Sequence, residues 1–227
     1  LGGLARKYRL DYRQFIPGDL PDEGDLPPET TITDDFTRSD GTTIGNQLTW
    51  TELGSADFTT VSNQFHKNDT SGAEANRLAR AESDLSSSDH YAQATITSLT
   101  GTDSQVGACC RFSSSASTCY AALYHLSGTP YGTYLIRYAA GTITILLSTA
   151  NGQSFSANDV VQVRANGSTI DMRRNGSVVH TTTDTNITGN TRGGIYALNT
   201  GSATSRGDNF EAADLAAGTV YDRTPSE

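Results

Sequence analysis

The sequence predicts an all-β protein, an antiparallel β-sandwich preceded by an extended N-terminal arm. Three observations carry that prediction. From Thr30 onward, short runs of Val, Ile, Thr and Tyr are separated by clusters of Gly, Asn, Asp and Ser, the pattern of strands and turns. Helical periodicity is missing, apart from a stretch near Ala73 to Ala81 with the composition of a single helical turn. Two dipeptides, Asn166-Gly167 and Asn175-Gly176, each sit between alternating runs and supply the positive φ angles of two-residue hairpin turns.

The first residues form no part of that pattern. Leu1 to Ile16 mixes Arg6, Lys7, Arg9 and Arg13 with Tyr8, Leu10, Tyr12 and Phe15, and Pro17 to Glu29 turns proline-rich and acidic. Such a composition cannot build its own core. Residues 1–29 therefore read as a docking arm, with Arg6, Tyr8, Arg9, Tyr12 and Phe15 as the partner-docking residues. Residues 30–215 form the sandwich and 216–227 a tail. The chain begins with Leu and has no charged-then-apolar leader, which reads as a processed chain or a fragment.

Within the sandwich, expected strands include Thr31 to Thr37, Phe58 to Phe65, Gln105 to Phe112, Cys119 to Leu126, Thr133 to Tyr138, Thr142 to Leu147 and Val178 to Thr183. Centring turns on the Asn-Gly dipeptides pairs Val163 with Ile170, Val161 with Met172 and Met172 with Val179, which places five apolar side chains on one face. The same register leaves His180 on the solvent side. In QVGACCRFSSSASTCYAAL a tight turn near Ser114-Ser115 sets Cys110 opposite Cys119, Ala108 opposite Ala121 and Val106 opposite Leu123. Cys110 and Cys119 then either form a cross-strand disulfide or serve as small reduced core residues.

The bulk properties narrow the function. Of 227 residues, 35% are hydrophobic and 18% charged, which suits a sheet protein with one wet face. A net charge of -9 argues against nucleic acid, which requires clustered Lys and Arg. The longest apolar stretch, around Ile143 to Leu147, is far too short for a membrane span. Three cysteines, Cys109, Cys110 and Cys119, are too few and too close for a disulfide framework.

Three segments in order now carry a resemblance: DDFTRSDGTTIGNQLTW from Asp34, VRANGSTIDMRRNGSVVHTTTD from Val163, and GNTRGGIYALNTGSATSRGDNFE ending at Glu211. Together they resemble a concanavalin A-like lectin/glucanase, or laminin G-like, domain over about Asp34 to Leu215. The resemblance implies a jelly-roll sandwich whose first and last strands lie side by side. It also implies a setting in a bacterial surface protein or in a structural protein of a tailed phage. With the basic, aromatic arm, the expected function is a non-enzymatic structural or adhesive component of a phage virion, of tail, fibre or capsid-decoration type. Its partners would be other virion proteins or its own copies through residues 1–29, in an oligomer, and cell-surface glycan. The alternative is a carbohydrate-binding module of a secreted bacterial protein, at the cell surface or outside it, or a glycoside hydrolase.

The chemistry supports binding over catalysis. Glycosidases of the resembled fold carry Glu-x-Asp-x-Glu or a near variant on one strand, because alternate residues project both carboxylates onto one face. No such pattern occurs here, and the glutamates never fall four or five residues apart. His66, His90, His125 and His180 are scattered without metal spacing. No cofactor is required. The resemblance implies a structural calcium, for which Asp34, Asp35, Asp40 and Asp208 are the candidate ligands. Trp50, the single tryptophan, is expected in the core, so the glycan-stacking candidates are Tyr120, Tyr124, Tyr131 and Tyr134. Arg206-Gly207-Asp208 coincides with the closing strand of the resemblance and is read as a chance match to an adhesion tripeptide.

Overall fold

The computed structural model describes residues 29–216 apart from 42, 46, 55–56, 69–76, 102, 127–131, 151–154 and 201–203. Among them it contains fifteen strands, numbered β1 to β15 in chain order, and no helix. The larger sheet runs β13 (Ser177–Thr183), β12 (Thr169–Arg174), β11 (Asp159–Asn166), β6 (His90–Thr100), β15 (Thr204–Asp214), β4 (Phe65–Lys67) and β3 (Phe58–Thr60). Its eighth strand, β1 (Thr31–Asp34), pairs with the second half of β15, from Thr31 opposite Ala213 to Asp34 opposite Phe210. First and last strands thus lie side by side, as expected. The smaller sheet runs β10 (Thr142–Ala150), β9 (Gly132–Ala139), β8 (Cys119–Leu126), β7 (Ser104–Phe112), β14 (Arg192–Leu198), β5 (Leu78–Asp84) and β2 (Trp50–Glu52).

The main core fills the space between the sheets, drawing Ala92, Ala94 and Ile96 from β6, Val161 and Val163 from β11, and Val106, Tyr120 and Tyr124 from the facing sheet. An aromatic knot closes one side. Phe36 lies 5.1 Å from Phe65 and 5.7 Å from Trp50, whose ring stands edge-on to Phe210 at 5.0 Å. Trp50 therefore packs on the core as expected, and its Nε1 donates to Asp34 Oδ2 at 2.9 Å.

Turn chemistry explains where the pairing departs from the sequence reading. Asn166 pairs with Thr169, so Gly167-Ser168 is the loop; Gly167 has φ +54 at its first position, which is the glycine demand of a type II′ turn. Val163 consequently faces Met172 and Ala165 faces Ile170. The shift is two residues, so every side chain keeps its face. Asn175-Gly176 does form the second loop, with φ +49 and +82. A bulge follows it. Arg173 pairs with Val178, but Met172 pairs with His180, and this slip of one turns His180 inward while Val178 is left 52% exposed. The expected solvent position of His180 is corrected by that bulge.

The cysteine hairpin is also off by one. Ser113 to Thr118 form a wider connection closed by Ser113 N–H donating to Thr118 O at 2.9 Å, with Ser113 Oγ accepting from Ser115 N and Ala116 N. Cys110 therefore faces Tyr120, Ala108 faces Ala122 and Val106 faces Tyr124. Of the two alternatives for Cys110 and Cys119, this register removes the disulfide: all three cysteines are free and buried, Cys110 toward the main core and Cys109 and Cys119 on the other side of the sheet. Burial holds the Cys109 thiol well above its usual range and pushes Cys110 up in the same direction.

Three further elements differ from expectation. The region around Ala73 to Ala81 yields strand β5 from Leu78, because Ala79 and Ala81 alternate into the main core while Leu78 packs on the outer face; residues 73–76 lie outside the described set. The expected single strand Phe58 to Phe65 is a hairpin, turned by Ser62 and Asn63 at positive φ and closed by paired Val61–Gln64 backbone bonds. The first strand stops at Asp34, where the carboxylate accepts from Phe36 N–H at 2.9 Å and Phe36 adopts φ +49.

Candidate functional site

The outer face of the smaller sheet carries a second apolar cluster, which includes Leu78, Cys109, Phe112, Ala121, Leu123, Tyr134, Ile136, Tyr138 and Tyr196. Register sets one row across it. Tyr134 pairs with Leu123, Leu123 with Gly107, Gly107 with Tyr196 and Tyr196 with Leu78. With strands about 4.8 Å apart, the two tyrosines stand about 14 Å from each other across a low floor. Gly107 lets β7 and β8 approach closely at this point, since a Cβ there would stand 2.0 Å from Ala122 O and 2.8 Å from Leu123 Cα.

A groove of about 280 Å³ lies over this row, lined by Arg77, Gln105, Leu123, His125, Tyr134, Ile136, Ile143, Ile145 and Tyr196. Ile145, 56% exposed, stands at its outer margin on β10. The polar groups gather at the other end. Arg77 Nη1 donates to Tyr196 Oη at 2.9 Å, and Tyr196 Oη donates to Gln105 Oε1 at 2.9 Å. Gln105 is directly opposite His125, whose ring lies 5.6 Å from that of Tyr134 and whose Nε2 is 3.4 Å from Asp103 Oδ1. Burial lowers the His125 pKa, Asp103 opposes it and Arg77 lowers it further. Burial also raises the Tyr134 hydroxyl.

The acids of this sheet lie elsewhere. Strands β7, β8, β9, β10 and β14 contain no Asp or Glu at all. Glu82 and Asp84 of β5 are held by cations: Glu82 by Arg80 and Arg192, Asp84 by Arg192 Nε at 2.9 Å.

Of the described glycan candidates, Tyr134 lines the groove and the other two do not. Tyr120 and Tyr124 are corrected by the hairpin register, which points both into the main core. Tyr120 Oη donates to Asp184 Oδ1 at 2.5 Å and accepts from Ile187 N–H at 3.1 Å; burial and that carboxylate push its pKa to about 12. Tyr131 lies outside the described residues, as do Arg6, Tyr8, Arg9, Tyr12 and Phe15. Arg77, Gln105, His125 and Tyr196 were missed because their shared face emerges only once Leu123 and His125 are known to point outward.

The calcium candidates do not fit together as ligands. Asp34 already accepts from Phe36 N, Leu48 N and Trp50 Nε1, and Asp35 from Thr37 N and Gln47 Nε2. Asp40 is engaged separately by Ser62 N at 2.7 Å. Asp208 has a raised pKa, from burial first and then from Asp35 and Asp34 nearby. Among the described residues no three carboxylate, histidine or cysteine side chains gather as a metal centre; these aspartates anchor turns rather than form the six to eight oxygens of a calcium cage. Arg206-Gly207-Asp208 lies in β15, hydrogen-bonded on both sides, with Gly207 against the Phe65 ring. No helix among the described residues is long and apolar enough to cross a membrane.

Comparison with protein families finds no matching profile, and comparison with curated proteins finds no match either. Solved structures do match. A carbohydrate-binding module, CBM66 from Bacillus subtilis, superposes with a TM-score of 0.57 at 12% identity, covering 71% of this chain and 94% of that one. A β-1,3-1,4-glucanase (lichenase) derived from a mouse hindgut metagenome gives 0.54 at 9% identity over 82% and 99%. The GH43 protein BlXynB from Bacillus licheniformis gives 0.55 at 15% identity over 81% of this chain and 39% of its own. At such identities the likeness shows fold, and the virion setting expected from the arm gains no support from it. With two antiparallel sheets, adjacent first and last strands and these neighbours, the chain has the concanavalin A-like lectin/glucanase fold.

Proposed function

We propose that this chain is a non-catalytic carbohydrate-binding sandwich of an extracellular or cell-surface setting, and that it holds glycan in the groove over Leu123 and Gly107. The observation that carries the reading is the groove's lining: apolar and aromatic walls from Tyr134, Ile136 and Ile143, with Gln105, Arg77 and His125 converging at one end. Sugar rings present apolar faces and polar edges, and such a lining complements both. Structural neighbours named as carbohydrate-binding modules and glucanases support the same substrate class. Hydrolysis would need two carboxylates about 5 to 10 Å apart across a glycosidic bond. The five strands β7 to β10 and β14 supply none.

Affinity electrophoresis against a panel of neutral soluble polysaccharides tests the reading. Retardation by at least one of them, lost in Tyr134→Ala and Gln105→Ala and kept in Tyr120→Phe, is expected. Passage of the wild type through every gel unretarded, or equal retardation of Tyr134→Ala, refutes it. Release of reducing ends from a bound polysaccharide would refute the non-catalytic part alone.

A further inference from the structure

On the far side of the sandwich from the groove, the outer surface of the larger sheet holds three solvent-shielded polar atoms without a hydrogen-bond partner: His66 Nδ1, Arg206 Nε and Thr97 Oγ1. The sheet brings them together. Arg206 of β15 is directly opposite His66 of β4 on one side and Ser98 of β6 on the other. The next pair on the β6 side is Gly207 with Ile96, which leaves Thr97 as the extra residue of a bulge beside Arg206. Directly opposite residues have their Cβ atoms about 5 Å apart. Phe65 belongs to the main core and the Cβ direction of Gly207 runs into its ring, so the alternation sends His66 and Arg206 outward together.

Shielded polar groups are normally bonded, and three adjacent ones left open on one surface need a common explanation. All three can donate: the arginine Nε–H only donates, the threonine hydroxyl can, and an imidazole Nδ1 does in one tautomer and in the cation. A ligand that only accepts meets all three. Arg206 makes no ion pair among the described residues. The other charges acting on His66 are Asp57 and Lys67, and Asp208, two residues along β15, is turned to Asn209 N at 2.7 Å and toward Asp34 and Asp35. We propose that His66, Arg206 and Thr97 form a binding site for a small oxyanion: a phosphate, a sulfate or the carboxylate of a ligand.

Bound anion should also act on His66 electrostatically. Burial and then Arg206 hold the imidazole below its ordinary pKa, so a negative charge between the two side chains relieves the second of these causes.

The test is the titration of the His66 ring followed by imidazole nitrogen-15 spectra of the full chain, in chloride and in inorganic phosphate or sulfate at matched ionic strength. Saturable movement of the midpoint upward by about half a pH unit is expected, with His125 and His180 unmoved. Acetate serves as the carboxylate arm: a response to acetate alone assigns the site to a ligand carboxylate, and a response to phosphate or sulfate assigns it to a free oxyanion. Arg206→Gln should abolish the response, and Thr97→Val, which keeps the side-chain shape, should weaken anion binding several-fold. An unchanged His66 midpoint in every anion, or an undiminished response in both variants, overturns the proposal and leaves the three atoms to a bridging water.

Discussion

His180 Nε2 lies 3.0 Å from Thr133 Oγ1 and 3.2 Å from Thr133 O, joining β13 of one sheet to β9 of the other. The carbonyl only accepts, so the bond to it requires a neutral ring with its proton on Nε2, or the cation. The tie exists because of the bulge after Arg173, which sets His180 rather than Val179 opposite the inward-facing Met172. His180→Ala should therefore lower the unfolding free energy by about 1 to 3 kcal/mol. Val178→Thr, on the exposed neighbour, should change it by less than about 0.5 kcal/mol. Urea titration checks both; equal effects would mean that the bulge is not fixed in solution.

Acid should destabilise the protein before its carboxylates titrate. His90 is buried with Nδ1 3.0 Å from Ser87 O and Nε2 accepting from Arg111 N–H at 2.9 Å, an arrangement that needs the neutral ring. Burial holds its folded pKa below the ordinary imidazole value of about 6.5, and His66, His125 and His180 shift the same way. The unfolded chain then binds protons first as pH falls. Stability is full above about pH 6.5 and is lost as pH falls from there through the lowered folded pKa values. Urea midpoints at pH 7.5, 6.0 and 5.0 should decline in order, with a shallower decline in His90→Gln. A flat profile would count against buried neutral histidines.

Arg111 should be the costliest single cation to remove. It adopts φ +46 in a bulge of β7, which sends both Cys110 and Arg111 off the outer face. Its guanidinium donates to Ser88 O at 2.8 Å, Ile187 O at 3.1 Å, Gly167 O at 2.7 Å and Asp89 Oδ1 at 2.8 Å. Arg111→Leu strips a buried charge network and leaves those carbonyls unpaired, so a loss of about 3 to 5 kcal/mol is expected. Thermal unfolding checks it, with Arg173→Leu on the half-exposed outer face as the milder control.

Gly107→Ala should damage the groove and the fold together. The added Cβ meets Ala122 O and the backbone of Leu123, neither of which can swing away. Overpacking of this kind costs about 1 to 3 kcal/mol. Amide hydrogen exchange should localise the loosening to β7 and β8; protection equal to wild type there would contradict the tight approach of the two strands.

The sequence signalled the architecture more fully than the site. Alternation and Asn-Gly turns reveal a sandwich because burial on one face repeats every second residue, and a register error of two, as at Val163 and Met172, leaves that reading intact. An error of one does not. At Ser113 to Thr118 the loop length was ambiguous among six serines, alanines and threonines, and the single-residue slip exchanged Leu123 for Tyr124 on the outer face. The expected register leaves Tyr120 and Tyr124 on the outer face, and it gives no sign that His125, one of four scattered histidines, stands opposite Gln105. The bulges at Cys110-Arg111 and after Val178 left no mark in composition, since their cause lies in contacts with Ser88, Ile187 and Thr133 far along the chain.

The pairing of β1 with β15 also sets how the domain responds to force. Thr30 N–H donates to Asp214 Oδ2 at 2.9 Å and Asp214 N–H to Thr30 O at 3.1 Å, so both ends of the sandwich leave from one corner. Tension that draws those ends apart acts across the Thr31–Ala213 rung and opens the pair like a zipper, one rung at a time. Load applied to those two ends therefore meets the rungs in succession rather than all at once.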